Sequence, residues 1–205
     1  GAFWLRHYYE LDYPEATEEP ADVVEQLDEI MLRSVGMRLR AVVPVGAYVS
    51  GGLDSSITAS LARSASQHPL RSFSVSYAVP ELDESHHQQD VAAAVGSVHT
   101  AAVLELDAIA QSFPDVLWHT ETPLLQTAPA LMFHLAKVTR ESGINVVVGG
   151  DGADEIFLGS DLFKQSSIRR FCLRHPESLG RQQLFGRVGV TDDDDGSDTG
   201  SLRRL

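Results

Sequence analysis

Val45-Gly-Ala-Tyr-Val-Ser-Gly-Gly-Leu-Asp-Ser-Ser56 decides the fold. Its apolar run stops at Ser50-Gly51-Gly52 and resumes with helical spacing from Leu53 to Ala65, which predicts a strand, a tight turn and a helix. Adjacent glycines admit backbone angles closed to other residues, so the main chain can approach a ligand and turn several N–H groups toward it. Ser50, Ser55 and Ser56 add hydroxyl donors, and the helix behind them presents the positive end of its dipole. Together these features make an anion site suited to phosphates. Asp54 would repel a phosphate unless a cation lay between them. Mg²⁺, which typically joins one or two carboxylates to substrate phosphates, is the cation expected. Taken singly, Ser50 and Asp54 are helix caps after a glycine turn; the intact string is what favours a ligand. The loop lacks the lysine of G-x-x-x-x-G-K-[ST], so it is not a Walker P-loop.

A chain of 205 residues with 43% apolar side chains supports one sizeable domain with a real core. No apolar run reaches the length of a membrane span, and Gly1 to Tyr9 lacks the apolar h-region of a signal peptide, so a cytoplasmic protein is expected. The single cysteine, Cys172, has no internal disulfide partner and lies among Ile168, Phe171 and Leu173. It is expected to be a buried or half-buried thiol in a reducing compartment. With 29 acidic against 16 basic side chains the net charge is −13, which argues against nucleic acid and anionic membrane surfaces as partners. Glu10 to Asp22, with six acids and no base, and Asp192 to Asp198, with five acids, carry much of the excess. Both are expected to be solvated.

Toward the amino terminus, Val23, Val24, Leu27, Ile30, Met31 and Val35 recur at spacings of three and four. They predict an amphipathic helix from Ala21 to near Arg40 whose stripe packs on the core. Residues 1–20, with Phe3-Trp4, Tyr8-Tyr9, Pro14 and Pro20, are expected to be a connector docked on the domain. Toward the carboxyl terminus, Arg71 to Ala78 alternates, with Phe73, Val75 and Tyr77 on one face, and predicts a strand. A helix over Glu84 to Val95, a strand over Val98 to Leu104 and helices over Asp107 to Trp118 and Ala128 to Ser142 are expected next. A short apolar strand over Ile144 to Val148 follows, patterned for burial on both faces of a parallel sheet. Strands alternating with helices give an α/β fold, a parallel sheet with helices on both faces, whose ligands gather beyond the carboxyl ends of the strands. The domain is expected to span residues 21–180, and residues 186–205 to be an acidic, disordered tail.

Gly149-Gly-Asp-Gly-Ala-Asp-Glu155 follows that last strand directly and leads into Ile156-Phe157, repeating the layout of the first loop. Asp151, Asp154 and Glu155 bring hard oxygen ligands to the sheet edge where Asp54 is expected, enough for a shared Mg²⁺–ATP site. By itself the run is equally a solvated acidic turn; its pairing with Ser50 to Asp54 favours a site. Ser50 to Ser56 resembles the SGGxDS pyrophosphate loop of the N-type ATP pyrophosphatases, which cleave ATP to AMP and pyrophosphate in order to adenylate a substrate. Both loops, with Ser72-Phe-Ser-Val75, Asp83-Glu84 and Gly96-Ser-Val-His99 between them, resemble the synthetase domain of glutamine-dependent asparagine synthetases over about Phe3 to Pro176.

The resemblance implies the adenine nucleotide alpha hydrolase-like fold of that superfamily. It also implies that Ser50, Gly51, Gly52, Ser55 and Ser56 hold pyrophosphate and that Asp54 and Asp154 bind Mg²⁺. Val49 and Val75 would contact adenosine, largely through main chain, and Gly149 and Gly150 would border the nucleotide. Asp151 stands where the family places an acid needed to form the acyl-adenylate. The implied reaction adenylates the side chain of aspartate and lets ammonia displace AMP, giving asparagine, with the loop acting through positioning and electrostatics. The family's glutaminase domain opens on a nucleophilic cysteine, whereas this sequence starts at Gly1 and has only Cys172. Nitrogen is therefore expected from ammonia or from a glutaminase domain or subunit, and a homodimer is compatible with the resemblance. Differences over Thr120 to Ala128 leave room for a related amidotransferase or a β-lactam-forming ligase on another carboxylate. The short carboxyl end leaves room for a nucleotide-binding module without turnover. Lys164 is expected to be solvated. His86, His87, His99, His119 and His134 lack metal-site spacing and are expected on the surface or in satisfied core positions.

Overall fold

The expected strand, turn and helix form at Val45 in the computed structural model, which describes residues 3–10, 21–79, 83–178, 180 and 184. Strand β1 (Val45–Tyr48) runs into a glycine turn and then helix α2 (Leu53–Ala65). Helix α1 (Val23–Arg38) precedes them. Strand β2 (Arg71–Tyr77), helix α3 (Ser85–Val95), strand β3 (Val98–Leu104) and helices α4 (Leu106–Thr120) and α5 (Ala128–Glu141) follow. Strand β4 (Val146–Val148), helical turn α6 (Ala153–Phe157) and helix α7 (Asp161–Arg174) complete the described elements.

All strand pairings are parallel, in the order β3-β2-β1-β4. Parallel neighbours need crossovers, and right-handed crossovers traversed in opposite directions along a sheet fall on opposite faces. Helices α2 and α3 accordingly share one face, where Ala47, Val49, Ala59, Ala62 and Leu70 pack with Val91 and Val95. Helices α4 and α5 take the other, where Phe73, Leu135 and Ile144 form one cluster and Leu104, Ile109, Val116 and Ala130 the next. The chain reverses its direction of travel across the sheet at β1, so the gap between β1 and β4 is the topological switch point.

Several expectations change. The α1 stripe is largely exposed, and of its six residues only Val35 is buried, because α1 lies on α2 as an outer layer and not on the sheet. Strand β4 starts at Val146, since exposed Asn145 interrupts the apolar run and Ile144 is spent in the core ahead of it. Among the described residues it pairs with β1 alone, at the edge of the sheet, which leaves Val146 39% exposed instead of buried on both faces. Strand β2 is buried on both faces, with Ser72, Ser74 and Ser76 enclosed as fully as Phe73. Residues 3–10 form no helix or strand, and Phe3, Trp4, Leu5, Tyr8 and Tyr9 stand exposed rather than docked. Cys172 is a buried free thiol, as expected. Residues 11–20 and the expected tail at 186–205 lie outside the described residues. Among the described residues no helix is long and apolar enough to cross a membrane.

Candidate active site

Val45 and Val146 are register partners, as are Ala47 and Val148, so the two glycine loops leave the carboxyl ends of adjacent strands. In the first loop Gly51 takes φ +89° and lies so close to α3 that a Cβ there would be 2.8 Å from His87 Cβ. Ser50 Oγ accepts from Gly52 N–H at 3.2 Å, and Ser55 Oγ accepts from Ser50 N–H at 3.1 Å while donating to Gly52 O at 3.1 Å. Because the Ser55 proton goes to Gly52 O, the 2.9 Å contact between the Ser50 and Ser55 hydroxyls has Ser50 as donor. Ser56 donates to the same Gly52 carbonyl at 2.6 Å. All three hydroxyl protons are thus turned onto the loop itself, and they shape it before they serve any ligand.

Gly52 is the N-cap of α2 and no side chain caps it, so neither Ser50 nor Asp54 is a helix cap. The first-turn N–H groups at Leu53, Asp54 and Ser55 have no partner available within the helix, and they carry the positive end of its dipole toward the switch point.

The second loop is seated directly on the first. A Cβ on Gly150 would lie 2.6 Å from Ser55 N and 2.7 Å from the Asp54 carbonyl carbon. Between and beyond them opens a cleft of about 530 Å³. Val49, Ser50, Asp54, Ser55, Val75, Gly149, Gly150, Asp151 and Asp154 line it, so residues 54 and 154 border one cavity. Gly51, Gly52 and Ser56 do not line it and act on the loop's shape instead. Sequence reasoning missed Tyr48, Ser76, Gln88, Leu131 and Met132 as walls, and had noted Glu84 only as a helix start. The sequence predicts helices over Glu84 to Val95 and Ala128 to Ser142, and no local signal marks which of their residues look over the sheet edge.

The lining is acidic and includes Asp54, Glu84, Asp151, Asp154 and Glu155, with no Lys, Arg or His among the described residues. A phosphate placed here needs a cation beside it, which is the situation in which one or two carboxylates and phosphate oxygens complete a Mg²⁺ shell. No group of three or more His, Cys, Asp or Glu converges on a metal position among the described residues, so the protein offers part of such a shell and not a closed cage. Lys164 is exposed and off the cleft, paired with Asp161 at 2.8 Å; that hydrogen bond and the attached charge raise its pKa. Glu121 sits in a left-handed turn at φ 52°, and with Leu125 it is exposed and outside the cleft lining.

A phosphate-type glycine loop at a helix start, faced by a second acidic glycine loop at the switch point of a parallel sheet, defines an α/β domain of the ATP pyrophosphatase kind. The chain belongs to the asparagine synthase family, whose model matches residues 26–193. It is 28% identical over 185 residues to asparagine synthetase [glutamine-hydrolyzing] 1 of Bacillus subtilis, covering 90% of this chain and 29% of that protein. It is 30% identical over 175 residues to amidase chyE of Penicillium rubens, covering 77% of this chain and 26% of the relative. A putative asparagine synthetase [glutamine-hydrolyzing] of Mycobacterium bovis is 30% identical over 148 residues, 72% of this chain and 22% of that one. The chain therefore spans under a third of the length of these relatives. Among solved structures, the NH3-dependent NAD synthetase of Campylobacter jejuni superposes with a TM-score of 0.46 at 17% identity, over 66% of this chain and 59% of that one.

Proposed function

We propose that residues 21–180 are an ATP-dependent, amide-forming ligase domain that activates the side-chain carboxylate of aspartate and delivers it to ammonia, giving asparagine, AMP and pyrophosphate. The observation that supports this most is the seating of Gly150 against Ser55 N and Asp54, which joins both loops into one cleft. The first-turn N–H groups of α2 and the main chain of Ser50 hold the β- and γ-phosphates, while the helix dipole favours charge gathering on departing pyrophosphate. Asp54 and Asp154 would hold Mg²⁺, which would neutralise phosphate charge there. Asp151 lies in the same cleft and orients the acceptor for formation of the acyl-adenylate. The acceptor carboxylate attacks the α-phosphorus and pyrophosphate leaves; ammonia then attacks the acyl carbon and AMP leaves. Catalysis is by alignment in a preformed site rather than through a covalent enzyme intermediate.

The test is full-length protein with ATP, Mg²⁺, aspartate and ammonium, with pyrophosphate, AMP and asparagine followed together. Equal amounts of the three are expected, and Asp54→Asn or Asp154→Asn should lower the rate by about 100-fold, in the range of one lost electrostatic contact to a transition state. ATP binding without pyrophosphate release from folded protein would make the domain a binding module and defeat the ligase reading.

A second reading concerns the acceptor alone. The similarity to amidase chyE is as high as that to the asparagine synthetases, so a carboxylate other than aspartate is the competing substrate. Pyrophosphate release across a panel of amino-acid and aryl carboxylates separates the two.

A further inference from the structure

We propose that Gln88 and Ser76 read the edge of the nucleobase, selecting a 6-amino purine over a 6-oxo purine. The inference rests on the nucleotide reading above. With phosphates at the glycine loops, the remaining space lies over the carboxyl half of β2, between α3 and α5. Its walls include Phe73, Val75, Leu131 and Met132, an apolar surrounding suited to a flat ring, and Gln88 and Ser76 are among the polar side chains that interrupt it. Gln88 and Ser76 are 4% and 5% exposed, and both line the cleft. Gln88 Oε1 and Ser76 Oγ are buried with no hydrogen-bond partner, a condition that native proteins nearly always avoid. The neighbouring polar groups on the same face of β2 are all paired: Ser72 with His99 Nδ1 and Ser97, and Ser74 with His99 Nε2. A third orphan, His134 Nε2, belongs to α5 and does not line the cleft.

The orientation of the Gln88 amide is settled by its other bond. Nε2 donates to Val75 O at 3.1 Å, and a carbonyl can only accept, so the nitrogen must face Val75 and the oxygen must be the orphan. The Val75 carbonyl already accepts from Gln88, and the Gln88 oxygen adds an unpaired acceptor to this lining. The Ser76 hydroxyl, which lines the same cleft, can donate. An acceptor and a donor in one cleft match the exocyclic amine and ring nitrogen of the 6-amino edge of adenine, whereas a 6-oxo purine sets an oxygen against the Gln88 oxygen. Sites that pair a buried polar group discriminate strongly against ligands that leave it unpaired.

The experiment measures binding of Mg·ATP, Mg·ITP and the Mg complex of purine riboside triphosphate, which lacks the 6-amino group, by titration calorimetry on the full-length protein. Wild type should prefer ATP to both by about tenfold. Gln88→Met keeps the shape and still covers the Val75 carbonyl but offers no comparable acceptor, so the preference for ATP over purine riboside triphosphate should shrink to about twofold or less. Ser76→Ala, too small a change to threaten folding, should weaken ATP binding several-fold yet raise the melting temperature by removing an unsatisfied hydroxyl. A residue of structural importance alone would leave affinity unchanged. Equal wild-type binding of all three nucleotides, or full preference retained in Gln88→Met, overturns the proposal and leaves the nucleotide reading standing. Failure of wild type to bind any of them removes both.

Discussion

Gly150 meets the other loop where no side chain fits, because its hypothetical Cβ falls within 3 Å of backbone atoms of Ser55 and Asp54 that cannot swing aside. Alanine there must push the loops apart by a sizeable fraction of an ångström. Misplacement on the order of 1 Å costs catalysis about 100-fold, so Gly150→Ala is expected to abolish most pyrophosphate release while the core clusters, which it does not touch, keep the protein folded. Comparing the rate with the urea midpoint checks this, and parallel loss of both would deny the loop contact its special role. Gly51 poses a different constraint. Its φ of +89° is closed to side-chain-bearing residues, and a Cβ would also run into His87 Cβ at 2.8 Å. Gly51→Ala should therefore destabilise the fold by at least about 1–2 kcal/mol, visible as a lower melting temperature, besides damaging the site.

At the scale of elements, β2, β3 and α3 are tied by a chain of hydroxyls around His99. Ser97 Oγ donates to Ala92 O, so Ser72 must donate to Ser97 and accept from His99 Nδ1–H, which leaves Nε2 to accept from Ser74. The chain is complete only with a neutral imidazole, and burial holds the His99 pKa below its ordinary value. The unfolded chain thus binds a proton that the folded chain resists, so this contribution is full above the ordinary imidazole value near 6.5 and is lost as pH falls below it, levelling off beneath the folded pKa. The difference in unfolding free energy between wild type and His99→Gln should accordingly narrow as urea melts are taken from about pH 8 down to pH 5; a difference independent of pH would remove His99 from the account. This layer was not legible in the sequence. Phe73, Val75 and Tyr77 announced one face of β2 by period, but serines at alternate positions pattern as a solvent face, and only the helix laid over them makes them interior. The α1 stripe failed for the converse reason: periodicity reports an apolar face, not whether the layer beneath it is the sheet. The start of α2 was legible because Ser50-Gly51-Gly52 breaks the apolar run just before helical spacing begins at Leu53, and that of β3 because Gly96, at φ +67°, ends α3 just ahead of it.

For the whole molecule, the strand order makes the site. Crossover handedness returns β4 to the side of β1, so loops about a hundred residues apart in sequence meet at one edge, a juxtaposition that no window of sequence contains. The motif chemistry of each loop was readable in advance, whereas the cleft walls on α3 and α5 required that assembly. Charge then governs what the cleft can take. The chain carries −13 overall, and among the described residues the cleft is lined by five acids and no base. Two like charges 4 Å apart at an effective dielectric near 20 repel by about 4 kcal/mol, so triphosphate alone should be turned away and its magnesium complex admitted. ATP affinity in EDTA is expected to be about 100-fold below that in excess Mg²⁺. The carboxylate variants give the sharper test, because the two conditions should move in opposite directions. Asp54→Asn and Asp154→Asn each remove a repulsion from metal-free ATP and a ligand from its magnesium complex, so affinity should rise several-fold in EDTA and fall in Mg²⁺. An aspartate that merely supports its loop would weaken binding under both conditions, and calorimetric titrations of the two variants in each buffer would distinguish that outcome from the crossed one.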